Sequence, residues 1–158
     1  ALIDQSAEAA GDPVIIGAVR DAALENEVLA FDILEKRMGP SGLDILYDIA
    51  FPKGGSRAPA VSRRAADSLA KPAVRERATP ALAIALKLRA STKCEAYRDL
   101  LTTAKDDGDA RAQALLQPLT KMTGCGFVNA RDCYPCLRKD GRLDSALKAI
   151  EQRAPKSQ

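Results

Sequence analysis

Four cysteines, Cys94, Cys125, Cys133 and Cys136, are the residues whose type and spacing promise chemistry, with 30, 7 and 2 residues between them. Three chemistries fit. Oxidised, they make two structural disulfides. Cys94 opens one predicted helix (95–105) and Cys125 follows the end of its antiparallel partner (110–122), so a helical hairpin brings both to one end, within bridging distance. Cys133 and Cys136 then pair across Tyr134-Pro135, or the outer cysteines exchange partners, because four cysteines admit three connectivities. As thiolates, Cys94, Cys125, Cys133 and Cys136 would hold a structural zinc ion with Cys133-Tyr134-Pro135-Cys136 as the knuckle, although most such sites take two close pairs and only one is present. As a dithiol, Cys133 and Cys136 would exchange disulfides, but thioredoxin-type sites follow a strand and none is expected here. Structural disulfides are the preferred reading. They imply an extracytoplasmic chain (periplasmic, surface or secreted), whereas reduced cysteines imply a cytoplasmic one.

Other chemistry is scarce. Histidine is absent, which removes the usual near-neutral acid or base, the common zinc nitrogen ligand, and any Ser/His/Asp or Cys/His nucleophile pair. No catalytic residue and no cofactor is expected, structural zinc being the alternative. Asp106, Asp107 and Asp109 share one turn, where capping of the following helix outweighs weak cation binding because the 12-residue EF-hand pattern is missing. Tyr97, Phe127 and Tyr134 are expected to fill the core beside the cysteines rather than form a recognition patch.

Charge is uneven. Residues 1–50 carry 3 Lys/Arg against 10 Asp/Glu, residues 51–93 carry 10 against 2, and the remainder 11 against 9. The basic middle includes Arg57, Arg63, Arg64, Lys71, Arg75, Arg77, Lys87 and Arg89. It has no aromatic between Pro52 and Ala96 on which bases could stack, so a solvated face complementing the acidic first third is expected, and nucleic acid is not the expected partner. No run approaches the roughly 20 apolar residues of a membrane span.

The elements that must position the cysteines are helices. Gly11-Asp12-Pro13 is a helix start, Asp capping and Pro in the first turn. Leu24, Val28, Phe31, Leu34 and Met38 make one stripe at helical spacing, which Gly39-Pro40 is expected to stop. Ser41 then precedes a short helix closed by Pro52 and the flexible loop Lys53-Gly54-Gly55-Ser56. Val61, Ala65 and Leu69 mark the next helix, ending before Pro72, and a short turn spans 72–78. Thr79-Pro80 opens 81–89, apolar nearly all round and therefore expected to be buried. In the hairpin, Tyr97, Leu100, Leu101 and Ala104 should face Ala112, Leu115, Leu116, Leu119 and Met122, with Pro118 kinking the second helix or ending it early. Leu143, Leu147 and Ile150 give a last helix. Leu2, Ile3 and Ala7 read as helical, the tail 155–158 as frayed, and the chain as a processed or excised piece of something longer.

No period-two segment is long enough for a strand, so the chain reads as all-α. Similar helix starts recur at Gly11-Asp12-Pro13, Ser56-Arg57-Ala58-Pro59 and Gly108-Asp109-Ala110-Arg111, 45 and then 52 residues apart, near the period of HEAT-type helix pairs. The Asp-Ala-Arg opening after a Gly turn and the Ala/Leu-rich paired helices resemble HEAT-like repeats. The resemblance implies that residues 1–154 form a single domain, a short α-solenoid of antiparallel helix pairs with the cysteine hairpin as its C-terminal cap. More narrowly, 88–96, 108–111, Gly124-Cys125-Gly126-Phe127 and 132–137 resemble uncharacterised bacterial C-terminal regions, some of them behind serine/threonine kinases. That likeness covers about 79–150 and implies no activity. The Gly-rich loop, His-Arg-Asp and Asp-Phe-Gly of the kinase itself are absent. The expected function is a non-enzymatic helical-repeat scaffold of an exported bacterial protein that binds a protein partner. The alternative is a zinc-stabilised regulatory or sensor module attached to such a kinase.

Overall fold

The structure, a computed structural model, describes residues 11–55 and 58–154. The expectations for Leu2, Ile3 and Ala7, for Ser56 and Arg57, and for the tail 155–158 fall outside the described residues. Among those described, all regular structure is helical save one isolated antiparallel bridge between Cys125 and Arg131, and no helix is long and apolar enough to cross a membrane. Residues 1–154 were expected to make one domain; the backbone contacts gather into two compact units that divide between Ala78 and Thr79.

The N-terminal unit is built from α1 (Pro13–Leu24), α2 (Val28–Lys36), α3 (Gly39–Ala50), α4 (Pro59–Ala70) and the single turn α5 (Pro72–Arg75). As expected, the Asp12 carboxylate caps α1, accepting from the amides of Val14 at 2.7 Å and Ile15 at 3.3 Å, while Pro13 occupies the first turn where an N–H is dispensable. Two boundaries differ from expectation. The stripe Leu24 to Met38 is not one helix: Asn26 takes a left-handed backbone (φ +69°), which ends α1 and leaves Leu24 half exposed. Gly39-Pro40 is not a stop but the first turn of α3, with Met38 buried at its N-cap.

Packing runs between chain neighbours, α1 on α2, α2 on α3 and α3 on α4, around Phe31, Leu34, Leu43, Leu46, Val61, Ala65 and Leu69. Gly42 permits the α2–α3 approach, because a Cβ there would collide with the Leu34 carbonyl.

The C-terminal unit contains α6 (Pro80–Ala90), α7 (Cys94–Asp107), α8 (Ala110–Leu116) and α9 (Arg142–Arg153), with short 3-10 turns at Gln117–Thr120, Phe127–Asn129 and Pro135–Arg138. α6 is buried along Leu82, Ile84, Ala85 and Leu88, as its all-round apolar pattern requires, and Thr79 caps its first turn. α8 yields to the tighter turn at Pro118, again as expected.

The hairpin itself is corrected. α7 packs on α6 and α9, and α8 packs on the same two, so α7 and α8 are diagonal members of a four-helix array and do not run side by side. Gly108 and Arg153 supply the reason. A Cβ on Gly108 would crowd the Ala104 carbonyl and lie 3.0 Å from Ile150 Cδ1, so the end of α7 is already closed by α9. The Arg153 guanidinium donates to the carbonyls of Lys105, of Ala104 at 3.4 Å and of Gly108 at 2.8 Å, satisfying acceptors that the last turn of α7 leaves over. The expected interface residues Leu101, Ala104, Ala112, Leu116 and Leu119 do share one core, with Leu137, Leu143, Ala146, Leu147 and Ile150, but Met122 lies outside it and is 67% exposed.

Candidate functional site

Three of the four cysteines, Cys125, Cys133 and Cys136, lie on the connection from α8 to α9, and the fourth opens α7. Cys94, the first residue of α7, pairs with Cys136 in the 3-10 turn Pro135–Arg138, their Cα atoms 6.0 Å apart. Cys125 pairs with Cys133 at 5.1 Å. Both separations suit a disulfide. Expected participants are thus all present, but the connectivity is not the hairpin pairing of Cys94 with Cys125 and Cys133 with Cys136. After Thr120 the chain leaves the 3-10 turn that follows α8, so Cys125 lies on an exposed excursion, while Pro135–Arg138 folds back against α7 and delivers Cys136 to Cys94.

The larger loop, closed by Cys94–Cys136, is seated on the core. Tyr97 and Tyr134 meet edge to face at 5.5 Å, and both pack against the apolar cluster together with Cys94 and Cys136. The Tyr97 hydroxyl donates to the Ser91 carbonyl, and burial pushes that phenol above its ordinary pKa.

Arg138 and Asp132 hold the crossing point. Arg138 Nε donates to Asp132 Oδ2 at 2.8 Å, and its Nη2 reaches Asp132 Oδ1 at 3.0 Å and the carbonyls of Leu119 at 2.9 Å and Lys121 at 2.8 Å. Asp132 also accepts from the Tyr134 amide at 2.8 Å. The paired Arg138 guanidinium, then that amide, hold the Asp132 carboxyl below its ordinary range.

The smaller loop, closed by Cys125–Cys133, is a miniature hairpin. Cys125 and Arg131 exchange backbone hydrogen bonds at 3.0 and 2.9 Å, Gly124 donates to Asn129 at 2.9 Å, and Asn129 donates to Gly126 at 3.2 Å. Its tip is Phe127-Val128. Phe127 is 92% exposed, so it is not the core filler expected of it, and Val128 is 77% exposed.

No family model, no curated protein and no solved structure matches the chain.

The other expected features fall into place around helix ends. Asp109 caps α8, accepting from the amides of Arg111 at 2.9 Å and Ala112 at 3.4 Å, with a second oxygen on Arg111 Nε. In the basic middle, Arg64 donates to the Asn26 carbonyl behind α1 and lies 5.5 Å over the Phe31 ring. Lys71 pairs with the largely buried Glu35 at 2.7 Å, Arg77 donates to the Glu35 and Ala73 carbonyls, and Arg75 to that of Leu69. Three arginines of that stretch, Arg64, Arg75 and Arg77, therefore serve the N-terminal unit's own backbone carbonyls, and Lys71 serves the Glu35 carboxylate.

Their roles were beyond sequence reasoning, since a charge count does not say which guanidiniums meet carbonyls. Arg138 and Arg153 were missed for the same reason; the usable signal was arginine placed one turn before or inside the last helix, downstream of two uncapped helix ends.

Oxidised cysteines offer no thiolate, so a zinc site would need these loops reduced and rearranged. Nor is Cys133 bonded to Cys136, the pairing a redox Cys-x-x-Cys motif cycles through. An open depression of about 460 Å³ between α6 and α7 is lined by Lys87, Lys93, Ala96 and Asp99 among others. Among the described residues no buried side-chain polar atom lacks a partner.

Proposed function

We propose that this chain is a non-enzymatic helical module of an exported protein, stapled by two disulfides and serving as a scaffold for a protein partner. The observation that carries this is the pairing of all four cysteines across one small helical unit. Two bonds in an 80-residue unit support a domain that works in an oxidising compartment. Paired cysteines and carbonyl-bound arginines leave the conspicuous polar residues with structural work, which supports a surface rather than a reaction centre. Neighbour-on-neighbour packing of α1 to α4 is the order that a short HEAT-like stack needs, and such stacks expose long surfaces.

Intact mass of the protein taken from its native compartment, with and without reductant, tests the reading. Two disulfides predict a gain of four hydrogens on reduction. Four free thiols with one zinc per chain would instead make it the zinc-stabilised module, and catalysed reduction of insulin would make it an oxidoreductase.

A further inference from the structure

Phe127, Val128 and Met122 are 92%, 77% and 67% exposed, and all three lie on the excursion between α8 and the Cys136 turn. Singly exposed apolar residues are common, but Phe127 and Val128 are neighbours at one loop tip, and grouped apolar surface marks a contact site. The loop is also built to keep them out. Val128 holds a left-handed backbone (φ +58°), which costs a β-branched residue energy and persists only where the surroundings impose it. Here they are the Cys125–Cys133 bond, the Cys125/Arg131 bridge and glycines at positive φ on both sides of the cysteine, Gly124 and Gly126.

Charge indicates what the tip meets. Residues 121–131 carry Lys121 and Arg131 and no carboxylate, and Asp132, next in the chain, is neutralised by Arg138. Arg131's aliphatic stem lies against Gly126, below the tip, since a Cβ on Gly126 would fall 2.8 Å from Arg131 Cδ. An apolar point with cations at its base suits an anionic bilayer surface, where rings and methyls enter the acyl boundary and cationic heads stay among phosphates. The amides of Gly124, Cys125, Asn129 and Arg131 are bonded within the loop and fix the base from which the tip projects. The N-terminal unit's own exposed apolar residues, Val14, Leu24, Val28 and Leu29, lie instead among Asp12, Asp21, Glu25 and Glu27, which an anionic surface repels.

We propose that the disulfide-closed loop 121–133 is a peripheral membrane anchor that inserts Phe127 and Val128 into an anionic lipid surface. This does not depend on the scaffold reading.

The chain has no tryptophan, so Phe127→Trp places a lone reporter at the tip. Titrated with vesicles of phosphatidylglycerol and phosphatidylcholine in equal parts, its emission should shift to the blue and be quenched by brominated acyl chains. In co-sedimentation, binding should weaken about tenfold or more in Phe127→Ser, fall with salt and with Lys121→Ser, and stay unchanged in Leu29→Ser. All these side chains are exposed, and an unchanged melting curve and reduction mass confirm the fold of each variant. No shift with anionic vesicles, equal binding by Phe127→Ser, or equal binding to pure phosphatidylcholine would each overturn the proposal; the first would leave the tip to a protein pocket.

Discussion

Arg138 joins three pieces of the C-terminal unit with one guanidinium: the Asp132 carboxylate, the end of the Pro118 turn and its own 3-10 turn. Replacing it by Met should lower the midpoint of urea unfolding, because charge-assisted bonds to Asp132 and to the Leu119 and Lys121 carbonyls are lost. The same pair sets an acid response. The folded state holds Asp132 below its ordinary pKa, so its contribution is complete above the unfolded carboxylate pKa and is lost as pH falls through the folded one. Asp132→Asn should therefore be less stable than the parent near neutrality, with the difference closing in acid. Parallel stability curves across that window would count against it. The disulfides differ in leverage: the chain-entropy model gives about 4 kcal/mol for the 42-residue separation of Cys94 and Cys136, and about 2.5 kcal/mol for the 8-residue one. Paired Cys→Ser replacements should rank in that order.

At the scale of elements, the helix starts were legible and the partnerships were not. Asp12-Pro13, Thr79-Pro80 and Asp109 act through neighbours two or three residues away, so sequence alone reveals them. Gly39-Pro40 was misread because the same dipeptide suits a helix end and a first turn, and buried Met38 decides between them. The α7–α8 hairpin failed for a different cause: a short Asp-Gly-Asp connection is compatible with adjacent or diagonal helices. The choice is made by α9, some 40 residues downstream, through Ile150 and Arg153. Ile150→Ala tests that arrangement and should cost about 2 to 5 kcal/mol as a core deletion. Gly108→Val should destabilise in any arrangement, because its Cβ meets the Ala104 carbonyl before it meets Ile150. If α8 rather than α9 covered α7, Ile150→Ala would matter less.

For the molecule as a whole, all the cysteines lie on one side of the division at Ala78. Hydrogen exchange with and without reductant should show faster exchange through 94–153 and little change through 13–75. Uniform acceleration would mean that the bonds stabilise the whole chain as one cooperative block. That a helical chain carried cysteine chemistry was legible from composition; how it was wired was not, because connectivity follows the fold-back of Pro135–Arg138 onto α7.

Tryptic mapping of the unreduced protein tests this wiring most directly. Cleavage after Lys93, Arg98, Lys121, Arg131 and Arg138 isolates Cys94 in 94–98, Cys125 in 122–131, and Cys133 with Cys136 in 132–138. Bonds from Cys94 to Cys136 and from Cys125 to Cys133 predict a single three-peptide cluster whose fragmentation assigns those pairs. Peptide 94–98 joined to 122–131, with 132–138 closed on itself, would contradict it, as would three peptides released with free thiols.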